Sequence, residues 1–124
     1  MLPTSHQKAY QKLLNALLAL HEQIDSPNLR LSLIQEKFQQ LQQVFQNEVM
    51  PLGNEELEGA IASRFQSVQT EMHRALRLLG TDLLFLRSSK QAATSEQRLT
   101  TLRDRLSQMR DYCQVILTFN SDID

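Results

Sequence analysis

The spacing of apolar side chains governs what this chain can become. Tyr10, Leu13, Leu17, Leu20 and Ile24 recur at steps of three and four residues, and so do Leu31, Ile34, Phe38, Leu41, Phe45 and Val49. A third series runs Leu57, Ile61, Phe65, Val68, Met72, Ala75, Leu79, Leu83 and Leu86, and a fourth Leu99, Leu102, Leu106, Met109, Cys113 and Ile116. Such steps place side chains on one face of a 3.6-residue helix, whereas a half-buried strand needs alternation at every second position. The stripes are narrow, which suits shallow left-handed crossing of long helices rather than steep ridge-and-groove packing. Short connections make successive helices antiparallel, so the expected fold is all-α: an antiparallel up-down four-helix bundle with a long third helix.

Punctuation between the stripes sets the boundaries. Only three Gly and three Pro occur in 124 residues, and several fall where a helical chain must turn. Thr4 with Gln7 and Thr94 with Gln97 have the spacing of capping boxes, Pro27 after Ser26 suits a first turn, and Pro51 stops what precedes it. Asn54 is placed to cap the third segment, with Glu55, Glu56 and Glu58 facing the helix dipole. A single domain over residues 1–124 follows, with helices at about 4–25, 27–50, 55–92 and 95–119. The third would be about 57 Å long and the others about 33 to 37 Å. Gly80-Thr81-Asp82 offers a place to break it, yet the apolar register passes Gly80 without a slip, favouring a continuous helix. Leu78 and Phe85, seven apart, form a second stripe there: either the bundle's centre, or a surface for a partner or a second copy.

The formal net charge of -1 hides an asymmetry. Residues 1–63 carry four Lys or Arg against seven Asp or Glu, residues 64–110 carry nine against four, and the last fourteen return three negative charges. The basic excess therefore lies on the expected hairpin of the third and fourth helices. Arg98, Arg105 and Tyr112 share one flank of the fourth helix, Arg103 and Arg110 the other, and Arg74 and Arg77 point outward near Leu78. Either these charges solvate the bundle and pair with Glu22, Glu36, Glu48 or Asp82, or they face an acidic protein, for which Arg and Tyr are favoured contact residues. The expected partner-binding set is Arg74, Arg77, Leu78, Phe85, Arg98, Arg105 and Tyr112. Asp82 is level with Arg103 and Arg105, and an Asp82–Arg103 ion pair is the expected structural cross-link. Near-neutral charge and the lack of a reading helix argue against nucleic-acid binding. Fifteen Gln, five of them between Gln39 and Gln46, read as a solvated face of the second helix.

No constellation for chemistry is evident. One cysteine excludes a disulfide framework, and the three His have no carboxylate at metal-binding spacing, so no metal, cofactor or catalytic residue is expected. His21 reads as a core-edge imidazole. His73 and Cys113 fall at a similar level on a hairpin, but Cys113 occupies a core-stripe position, where a thiol acts as a small hydrophobe. The opening MLPTSHQKAY has no basic segment followed by an apolar one, and apolar runs such as Leu83 to Leu86 are far too short to span a bilayer, so a soluble, cytoplasmic protein is expected.

The stretch Gln69–Gln114, with the words TEMHRALRLLGTDLLFLR, TSEQR and DYCQ, resembles the PatD family of cyanobacterial heterocyst-frequency control proteins. The likeness extends over nearly the whole chain and is weaker in its N-terminal half. The resemblance implies a small, non-catalytic regulator of cell differentiation that limits how many cells of a filament become heterocysts. It also implies a link to the tubulin-like division protein FtsZ, through binding that alters polymer assembly. The expected partner-binding residues come from charge and periodicity, not from the resemblance.

Overall fold

The computed structural model describes residues 2–119. Helix α1 (Thr4–Ile24) is followed by α2 (Leu31–Val44), which runs on into a π-helical turn at Phe45–Val49, then by α3 (Gly59–Ser88) and α4 (Ala92–Leu117). No strand occurs among the described residues. The all-α bundle is therefore as the apolar stripes predict. Neighbours run antiparallel: along α2 and α3, Phe38 meets Gly80, Phe45 meets His73, and the Val49 carbonyl accepts from Gln69 Nε2 at 3.0 Å. Lys12 of α1 pairs with Glu48 at the far end of α2 at 3.1 Å, and Asp25 at the end of α1 pairs with Arg103 of α4 at 2.9 Å. Helix α1 packs closely on α2 and α4, and α4 on α3; the α2–α3 seam is the loosest of the four.

The stripes fill one core. Tyr10, Leu13, Leu17, Leu20 and Ile24 of α1 meet Ile34, Phe38 and Leu41 of α2, with Phe45 and Val49 below them, and the inner residues of α3 and α4 close the layer. Each step of four residues drifts about 40° around an ideal α-helix, so Leu41, Phe45 and Val49 would wind off a common face. The wider π-turn, closed by Met50 N donating to the Phe45 carbonyl at 2.8 Å, offsets that drift and keeps both Phe45 and Val49 buried. Leu31 is the exception among the stripe residues of α2: it begins the helix and stays 43% exposed.

The helix ends differ from those the sequence predicts. None of the four α-helices starts with a side-chain capping bond. Pro3 occupies the cap of α1, and Gln7, expected to answer Thr4, instead donates its amide to the Leu2 carbonyl at 2.8 Å. Ser26 and Asn28 hydrogen-bond each other within the loop, so α2 starts at Leu31 rather than at 27. The Leu57 N–H bonds the Asn54 carbonyl in a turn, leaving Glu55, Glu56 and Glu58 ahead of α3 rather than inside its first turn. At its other end α3 stops at Ser88, where Ser88 and Ser89 hydroxyls donate to the Leu84 and Phe85 carbonyls at 2.9 and 2.8 Å. The resulting 30 residues make a helix of about 45 Å. It is continuous through Gly80, whose missing side chain admits the Phe38 ring: a Cβ there would lie 3.2 Å from Phe38 Cζ.

Candidate interaction surface

Helices α3 and α4 run side by side for most of their length, and a cleft of about 270 Å³ opens on their outer seam. Glu71, Arg74, Ala75 and Leu78 line it from α3, facing Arg105, Gln108 and Tyr112 from α4. Four of the expected binding residues, Arg74, Leu78, Arg105 and Tyr112, are thus brought into one site. Gln108 Nε2 donates to the Tyr112 hydroxyl at 3.0 Å, one turn apart on α4. Further along the same pair of helices, the Arg98 guanidinium sits 4.7 Å from the centre of the Phe85 ring, a cation–π contact between α4 and α3. Leu78 and Phe85 stay 39% and 47% exposed, so their stripe is a surface and not the bundle's centre.

Arg77 does not join them. Three residues from Arg74, it turns to the α2 side and lines a smaller groove of about 150 Å³ with Gln42, Phe45, Gln46, Met50, His73 and Leu76. The two arginines expected to act together therefore line different grooves, one on the α4 side of α3 and one on the α2 side.

The expected Asp82–Arg103 cross-link is also corrected. Asp82, only 8% exposed, is paired with Arg105, whose Nε donates to Oδ2. Arg103 turns instead to α1, where its Nε donates to Asp25 Oδ1 at 2.9 Å. Two residues along a helix are about 200° apart, so only one of the two arginines can face α3. A carboxylate this deep in the seam requires a charged or hydrogen-bonding partner, and Arg105 supplies it.

His73, Cys113, Tyr10, His21 and His6 lie away from this cleft. His73 is exposed and lies against Phe45 of α2 with ring centres 5.5 Å apart, on the other side of α3 from Cys113. Cys113 is fully buried, and burial pushes its thiol from 9.0 up to about 12, so it is a protonated thiol at neutral pH. Tyr10 is also buried, its phenol raised first by burial and then by the adjacent Cys113. His21 occupies the edge of the core as expected, its Nε2 3.3 Å from Asp25 Oδ2. His6 was not anticipated: it is buried, its Nε2 donates to the Gly53 carbonyl at 2.8 Å, and its ring meets the Phe65 ring edge-on at 5.1 Å. Extending the α1 stripe four residues back from Tyr10 would have found it. Among the described residues no cluster of His, Cys, Asp or Glu could hold a metal ion, and no helix is long and apolar enough to cross a membrane. No protein-family model, curated protein or solved structure matches the chain.

Proposed function

We propose that this chain is a non-catalytic interaction module that presents the α3/α4 seam to an acidic protein surface. Following the resemblance of its sequence, we place it in the cytoplasm as a PatD-like regulator of heterocyst frequency that binds FtsZ and modulates its assembly. The observation that supports this reading is the outer cleft, where Arg74, without a hydrogen-bond or ion-pair partner among the described residues, lies beside exposed Leu78 and across from Arg105 and Tyr112. Charged and apolar groups so interleaved suit a protein contact, in which the cations speed encounter and the apolar centre supplies affinity.

Exposed Leu78 and Phe85 favour a second reading, a self-assembling scaffold in which two copies pair along this stripe. The arginines count against it, because each copy would bring the same positive flank. Co-sedimentation with FtsZ polymers tests the first reading. Wild type should pellet with the polymers, while Arg74→Glu should stay in solution with its helical circular dichroism unchanged. A folded Arg74→Glu variant that pellets like wild type would take this seam out of the contact.

A further inference from the structure

Arg105 sits between two depressions, one shared with Arg74, Leu78 and Tyr112 and the other with Thr101, Asp104 and Gln108. Its Nε is committed to Asp82, and the terminal nitrogens, which carry the other four of its five N–H groups, make no hydrogen bond among the described residues. A guanidinium held by one edge has already lost much of its rotamer freedom, and it keeps the paired donors that match a carboxylate. Arg74, across the cleft, adds a second cation, which makes no ion pair among the described residues although Glu71 lies one turn away on α3. From Arg74 to Phe85 the seam runs about 16 Å, three turns of helix, with Leu78 between them and the Arg98-covered Phe85 ring at its end.

We infer that this seam is a docking groove for an amphipathic acidic helix of a partner protein, whose carboxylate is bound by the terminal nitrogens of Arg105 beside Arg74 while an apolar side chain rests on Leu78. The inference rests on the interaction-module reading and names the chemistry of its partner. Asp82 is then a positioning residue: it touches no ligand, and holds the Arg105 fork open to the cleft. Glu71 at one end of the cleft repels acid, so the helix is oriented with its carboxylates toward the Arg98 end. The same arginines disfavour a second copy, and the carboxylates of Glu71 and Asp104 on the rims disfavour a phosphate backbone.

The probe is an Ala-based helical peptide of about 18 residues, long enough to hold its shape, with Leu on one face and Glu beside it. A twin with Gln for Glu is the control, and the full chain is titrated by NMR. The Glu peptide should shift amides of residues 74–85 and 98–112 and the Arg105 Nε–H, with the twin at least tenfold weaker. Arg105→Lys, which keeps the charge but loses the fork, should weaken binding about tenfold. Asp82→Asn should weaken it with Arg105 still present, and Asp82→Glu should restore it. Equal binding by the two peptides, shifts confined to other faces, or undiminished binding by folded Arg105→Lys overturns the groove. So does equal perturbation by a DNA duplex, or concentration-dependent shifts of these amides without peptide, which would make the occupant a second copy. If FtsZ binds wild type while the peptides leave the seam untouched, the groove falls and the regulatory reading stands. If the Glu peptide docks and FtsZ does not bind, the reverse holds.

Discussion

Asp82 and Arg105 join α3 to α4 by a hydrogen-bonded ion pair in which the carboxylate is nearly buried and the guanidinium still lines the outer cleft. One contact thus fixes the register of the two helices and holds a surface cation in place.

Removing one partner strands the other. Asp82→Ala should cost about 2 kcal/mol, less than a fully enclosed pair because Arg105 can still reach water. Replacing both by apolar residues of similar size, Asp82→Leu with Arg105→Met, should recover much of that loss. Urea unfolding of Asp82→Leu, Arg105→Met and the double variant measures the coupling; strictly additive losses would show that the pair contributes nothing as a unit.

Alkali should unfold the protein earlier than its charge count suggests. The Cys113 thiol is raised by burial from 9.0 to about 12, so its proton is held more tightly in the folded chain. Its contribution is complete below pH 9 and falls as pH rises from there toward about 12, by about 1.4 kcal/mol per pH unit. Tyr10, raised from 10.0, acts in the same direction at higher pH. Stability against pH, followed by thermal melting, should fall less steeply between pH 9 and 10 in Cys113→Val. A thiol reagent at pH 8 should modify wild type only at the rate of global unfolding.

Gly80→Ala sets helix propensity against crowding. Alanine in a helix interior gains about 1 kcal/mol over glycine. The added Cβ would meet Phe38 Cζ at 3.2 Å, the tip of a ring on the loosest seam, which can yield by a few tenths of an ångström. Gly80→Ala should therefore be neutral to slightly stabilising, while Gly80→Leu should lose at least about 2 kcal/mol by forcing α2 from α3. A drop of several degrees in the melting temperature of Gly80→Ala would show instead that Phe38 is held rigidly.

His6→Ala should loosen the connection between α2 and α3 without unfolding the bundle. It removes the hydrogen bond to the Gly53 carbonyl and the contact with Phe65, together worth about 2 kcal/mol. Hydrogen exchange should quicken around residues 51–58 and stay slow in α4. Uniform acceleration through all four helices would assign His6 to the core as a whole.

The stripes were legible because burial selects for a period, and a period survives any error in a single residue. Tyr10 to Ile24 and Leu99 to Ile116 are buried at each expected position. Helix ends depend on single hydrogen bonds instead, and there local competitors won: Ser26 serves Asn28, and Gln7 serves Leu2. Register along the hairpin brought Asp82 level with two arginines, but the choice between them needs the rotation of α4, which Asp25 at the end of α1 helps to set. Arg74 and Arg77 look equivalent on an isolated helix. Only the placement of α2 on one side of α3 and α4 on the other separates them.

The guanidinium of Arg98 lies over Phe85 like a lid on an adhesive. A plain greasy surface arriving there would have to strip the ring of its cation and offer nothing in exchange. A surface that brings a carboxylate can draw the arginine aside and then use the ring. Stickiness on this face is thereby made conditional on the charge of whatever arrives.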